Sequence, residues 1–132
     1  MNLQSEKKTI NKPQQELFEH LTNLENFEKL LPDSLEEFQV DGDSFKFSLK
    51  GMPAIRLAID EKQEFDLIKL KATSDKFPVF LTCKIDAISD TETAAQLFFD
   101  GEINAMMAMM IKKPLQNLLD VLVEKMGELE KT

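Results

Sequence analysis

One histidine (His20), one cysteine (Cys83), one arginine (Arg56) and four methionines at 106, 107, 109 and 110 are the side chains that could give this 132-residue chain a chemistry. A thiol nucleophile needs a base within hydrogen-bond reach, and His20 is the sole imidazole. Cys83 instead alternates with Val79, Leu81 and Ile85 on one parity, where it reads as a small hydrophobe. His20 falls near the end of a short helical stretch, where a positive imidazole would suit the helix C-terminus. A lone histidine beside a lone cysteine does not make the usual zinc ligand set, so no metal is expected. Gly42, Gly51, Gly101 and Gly127 are isolated from one another, which excludes a glycine-rich phosphate loop.

The carboxylates are numerous but dispersed. Glu36, Glu37, Asp60, Glu61 and Glu64 fall at turns or strand ends, where a solvated face is the default. Asp66 lies where strand parity conflicts: at a bulge it points to water, and turned inward its pKa would rise. Arg56 alternates opposite to Ile55, Leu57 and Ile59, on an outer sheet face; turned inward, it would be a carboxylate hook. Acid, base and nucleophile do not converge, so neither catalytic residues nor a cofactor are expected. The methionine cluster points elsewhere. Unbranched and polarizable side chains form a surface that re-packs around different apolar partners, although the same spacing also fills gaps in a core.

Composition sets the frame for these residues. The length is that of a single domain spanning 1–132, and 42% hydrophobic with 30% charged residues is an ordinary globular balance. Twenty-four acids against 16 bases give a formal charge of -8, a field that repels nucleic acid and anionic head groups. One cysteine allows no intramolecular disulfide, and the stretch from Met1 to Lys8 lacks a signal-peptide core, which suggests a cytoplasmic protein. The longest apolar-leaning run, Ile103 to Ile111, is far short of the ~20 residues a membrane span needs.

The elements that must position these residues follow from periodicity. Residues 5–10 alternate as an edge strand. Asn11 and Gln14 have capping-box spacing ahead of an apolar face of Leu17, Phe18 and Leu21; Thr22 and Glu25 repeat it ahead of Leu24, Phe27, Leu30 and Leu31, until Pro32 stops the second helix. The period then becomes two. Phe38 and Val40 face Phe45, Phe47 and Leu49 across the Asp41-Gly42-Asp43 hairpin signal. Strands around Ile55–Ile59, Phe65–Ala72, Val79–Ile85 and Ala95–Ile103 follow, with a bulge or a twist near Leu67, breaks at Gly51-Met52-Pro53 and Ser89–Glu92, and a loop at Thr73–Pro78. Asn104 has N-cap chemistry, and an amphipathic helix runs to about Glu130, kinked at Pro114.

This order, with the Pro13–Phe18 first helix, the Leu30-Leu31-Pro32 stop, the Asp41-Gly42-Asp43 hairpin and the Leu115–Leu122 helix face, resembles the START-like, or SRPBCC, superfamily. The resemblance implies an α+β helix-grip fold: a strongly curved seven-stranded antiparallel sheet, two short helices, and a long C-terminal helix across the concave face. It also implies a cavity for an apolar ligand such as a lipid, fatty acid or isoprenoid. Its expected wall is Phe45, Phe47, Ile55, Leu57, Ile59, Leu81, Cys83, Leu97, Phe99, Met106, Met107, Met110 and Leu118. Two other readings stay open. One is an interaction module that docks a protein partner through its acidic surface and methionine region. The other is a cyclase-like or hydrolase-like enzyme.

Overall fold

In the computed structural model, which describes residues 1–51, 53–73 and 78–129, alternation of apolar and polar side chains becomes an antiparallel sheet. Its strands are β1 (Asn2–Gln4), β2 (Lys8–Ile10), β3 (Leu35–Asp41), β4 (Ser44–Leu49), β5 (Ile55–Gln63), β6 (Leu67–Ala72), β7 (Val79–Ala87) and β8 (Thr93–Gly101). The strand order is β1-β8-β7-β6-β5-β4-β3, with β2 also paired to β8, so the sheet stays open at β3 and is not closed into a barrel. Between β2 and β3 lie helix α1 (Gln14–Thr22) and a 3-10 helix (Leu24–Leu30); helix α2 (Ala105–Gly127) ends the order.

The layers form because one parity of each strand is apolar. Phe45, Phe47 and Leu49 of β4 are buried while Ser44, Lys46 and Ser48 are only partly covered, and β7 repeats this with Val79, Leu81, Cys83 and Ile85. Ile111, Leu115, Leu118, Leu119, Leu122, Val123 and Met126 of α2 pack into the same core. Helix α2 lies against β1, β2, β8 and the 3-10 helix, whereas α1 covers β6 and β7. The β3–β4 hairpin has Gly42 at the first of two central positions with φ of 61°, the geometry a primed turn needs and glycine adopts without strain. At Gly101, paired with Val79, a Cβ would stand 2.5 Å from Val79 Cγ1, so this strand end tolerates no side chain without repacking.

The structure departs from the sequence expectations in particular places. The edge strand expected at 5–10 is confined to β2 at Lys8–Ile10, and a further strand, β1, precedes it at Asn2–Gln4; the two are separated where Ser5 turns inward, its Oγ accepting from Leu97 N at 3.0 Å while its own N donates to Leu97 O at 2.9 Å. A side chain thus continues the ladder, and the sheet has eight strands. Neither helix takes the expected residue as its N-cap. Helix α1 is preceded by Pro13 and the 3-10 helix by Asn23, each without a side-chain cap bond, because Gln14 reaches across to the sheet and Thr22 Oγ1 turns back to Glu19 O. The expected bulge near Leu67 lies in β5 instead, between Ile59 and Glu61, since the turn at 64–66 already absorbs the parity change. Most of the loop expected at 73–78, Met52 of the 51–53 break, and Glu130 lie outside the described residues.

Candidate functional site

The candidate site is the apolar face between the sheet and α2. Cross-strand pairing brings its residues together: Phe45 opposes Leu57, Phe47 opposes Ile55, Leu81 opposes Phe99 and Cys83 opposes Leu97. All of these are buried, as is Leu118 on α2. Phe45 stands at the centre of an aromatic cluster, stacked on Phe27 at 5.2 Å and tilted against Phe38 and Phe47 at 5.4 and 5.8 Å. Ring pairs at such distances add about 0.5–1.5 kcal/mol beyond the burial itself. Ile59 and Met107 are half-buried against the same core, as are Phe38, Val40 and Ile103.

Met106 and Met110 do not join that wall. They are 76% and 61% exposed, and Met109 is 83% exposed. The reason is the phase of the helix. Asn104 Oδ1 accepts from Met107 N at 2.8 Å and fixes the first turn. With 3.6 residues per turn, Met107 shares the inner face of Ile111 and Leu115, while 106, 109 and 110 are rotated away by roughly 100° or more. Helical spacing in the sequence counted Met110 as inner because it lies three residues from Met107; only the packed phase separates them.

The polar residues singled out by type take structural positions. The Cys83 thiol is fully buried, and desolvation pushes its pKa up to about 12, so the reactive thiolate is suppressed. Burial holds the His20 imidazole below its ordinary value, with Lys12 and Lys29 adding to the effect, so the expected cation at the end of α1 is disfavoured. Asp66 is exposed, and its Oδ1 accepts from Gln14 Nε2 at 2.8 Å; the same amide nitrogen donates to Ile85 O at 3.0 Å, tying α1 to the sheet. Arg56 lies on the outer face, where its Nη1 donates to Ser44 Oγ at 2.9 Å. Two buried polar residues that sequence reasoning did not single out, Ser5 and Thr93, are both satisfied, Thr93 Oγ1 donating to Lys12 O at 2.7 Å. No local pattern marks either, because each is defined by a partner far along the chain. Among the described residues no group of three His, Cys, Asp or Glu side chains could hold a metal ion.

At the periphery, an open cleft of about 460 Å³ lies at the β1–β8–β7 end, lined by Met1, Asn2, Pro78, Phe80, Asp100, Gly101 and Glu102. Carboxylates and a ring share it without any polar side chain buried inside.

The described architecture is similar to solved structures along nearly its whole length. A START superfamily protein from Mycobacterium smegmatis superimposes with a TM-score of 0.71 at 12% identity, covering 97% of this chain and 98% of the other. The chain has the START-like helix-grip fold. Truncated norcoclaurine synthase from Thalictrum flavum gives a TM-score of 0.75 at 10% identity over 98% of this chain and 92% of that one. A conserved protein from Geobacillus kaustophilus gives 0.72 at 13% identity, with 99% and 95% covered. No family model and no curated protein sequence matches the chain. The START-like fold thus includes proteins named for a superfamily of domains and proteins named as enzymes, and identities this low carry the fold alone. Among the described residues no helix is long and apolar enough to cross a membrane.

Proposed function

We propose that this protein binds a small apolar molecule, such as a lipid, fatty acid or isoprenoid, between α2 and the inner sheet face, without reacting with it. One observation carries the reading: among the described residues that face is apolar apart from Thr93 at its end, whose hydroxyl is bonded to Lys12 O, and Cys83, its one ionisable side chain, is held protonated. An acyl chain or isoprenoid needs burial and shape, both of which Phe47, Leu57, Leu81, Leu97 and Leu118 supply. The half-buried side chains of Phe38, Val40, Ile59, Ile103 and Met107 pack against the core at its edge, where a ligand would meet it first. A catalytic reading would need an acid, base or nucleophile on this face, and it is the weaker alternative.

Titration with a fluorescent fatty-acid probe tests this. Saturable one-to-one binding in the micromolar range, on the order of -8 kcal/mol, is expected, since few directional contacts supplement burial. An unsaturable linear response, or none, would sink the carrier reading. Extraction and mass spectrometry of purified protein provide the complement: a stoichiometric apolar molecule supports the carrier, and an empty protein that retains a partner supports the interaction module.

A further inference from the structure

The exposed methionines call for a different occupant. Met106, Met109 and Met110 project from the first two turns of α2 at 76%, 83% and 61% exposure, and Ile88, on the β7–β8 turn, is the only other large hydrophobe so exposed among the described residues. Beyond the methionines lie Lys112 and Lys113, both exposed: Lys112 is three residues beyond Met109, and Lys113 is four beyond Met109 and three beyond Met110, so each neighbours a methionine on the helix surface. From Ile103 to Leu119 the chain carries these two lysines and no acid, in a protein whose formal charge is -8. Glu102, exposed just ahead of the helix, marks the end of the patch.

We propose that this face of α2 docks on an anionic lipid bilayer, with the methionines dipping into the head-group boundary and Lys112 and Lys113 meeting lipid phosphates. Flexible apolar side chains with lysines at their flank are the arrangement that lies in a membrane interface. The acids next to the patch along the chain are Glu102 and Asp120, at its two ends, and charges beyond about 8 Å are largely screened at physiological ionic strength. A second copy of the chain fits less well. Three methionines offer a patch on the order of 400 Å², about half of the roughly 800 Å² per partner that a stable interface buries. A bilayer requires no matching surface. The docking does not depend on an internal ligand.

Sedimentation with vesicles of phosphatidylcholine, alone and mixed with phosphatidylserine, tests the proposal on the full chain. Binding to the mixed vesicles, absent with phosphatidylcholine alone and weakened by added salt, is expected. The Met106→Ser/Met109→Ser/Met110→Ser variant should lose it, and Lys112→Gln/Lys113→Gln should weaken it roughly thirtyfold, since each lysine near an anionic surface contributes about a fivefold factor. These positions are exposed, and unchanged circular dichroism and melting will show that the variants fold. No sedimentation with the mixed vesicles overturns the proposal, as does equal binding to both vesicles or binding that survives the serine substitutions. A concentration-dependent dimer abolished by the same serine substitutions, without vesicle binding, overturns it in favour of a second copy. Probe titration of the serine variant keeps the two readings apart: it should still bind the fatty-acid probe, whose site is elsewhere.

Discussion

At the scale of single residues, burial decides reactivity. Cys83 is enclosed between Ile68 and Leu97 in the sheet register, and its thiol is pushed up to about 12. A thiol reagent should therefore label it slowly in the native state and rapidly after denaturation; rapid native labelling would show an accessible, reactive thiol. Cys83→Ala should cost about 1 kcal/mol, measured by urea unfolding, without changing probe binding. His20 gives a pH signature. Its folded-state pKa lies below the ordinary 6.5, so the unfolded chain binds the proton more readily and stability is lost as pH falls through 6.5 toward the folded value. His20→Gln should flatten the stability curve over that interval. A curve of unchanged slope would place the titration on other groups.

At the scale of elements, α2 joins two unlike segments. Pro114 lies inside it and has no amide hydrogen to donate to Met110 O, so the helix loses a bond between its methionine-rich start and its buried end. Up to residue 113 only Ile111 is buried, whereas Leu115, Leu118, Leu119, Leu122, Val123 and Met126 are buried beyond it. Amides of 104–113 should accordingly exchange hydrogen faster than those of 115–126, and an apolar ligand, if bound, should slow the first segment more. Uniform protection along the helix would mean that it opens as one unit. The contrast also shows what sequence makes legible. Leu115 to Met126 reads as an inner face because its spacing leaves one solution, and β4 and β7 read equally well because alternation assigns a side. At 106–110, apolar residues occupy nearly every position, so spacing no longer selects a face; the Asn104 cap and the packing of Ile111 do. Likewise Gln14 had the spacing of a cap but bonds to Asp66 and Ile85, 52 and 71 residues away, a choice only the assembled sheet makes available.

At the scale of the whole molecule, charge is out of balance while the core is not. Twenty-four acids face 16 bases, and the ion pairs among the described residues, Lys8–Glu124 at 3.6 Å and Lys46–Glu37 at 3.4 Å, are solvent-exposed. Pairs of that kind contribute about 0–1 kcal/mol each and weaken in salt. Net self-repulsion acts in the opposite direction, destabilising the compact state, and salt screens it as well. With a charge of -8 the second effect is expected to be the larger. Adding sodium chloride at neutral pH should therefore raise the melting temperature, by roughly 2 °C for about 0.5 kcal/mol in a domain of this size. Near the isoelectric point of about 4.7 the net charge vanishes, and the gain should vanish with it. Differential scanning fluorimetry across both pH values distinguishes the terms: a melting temperature that falls with salt at neutral pH would mean that local attractions outweigh the global repulsion, and a gain that persists at the isoelectric point would assign it to the solvent rather than to charge.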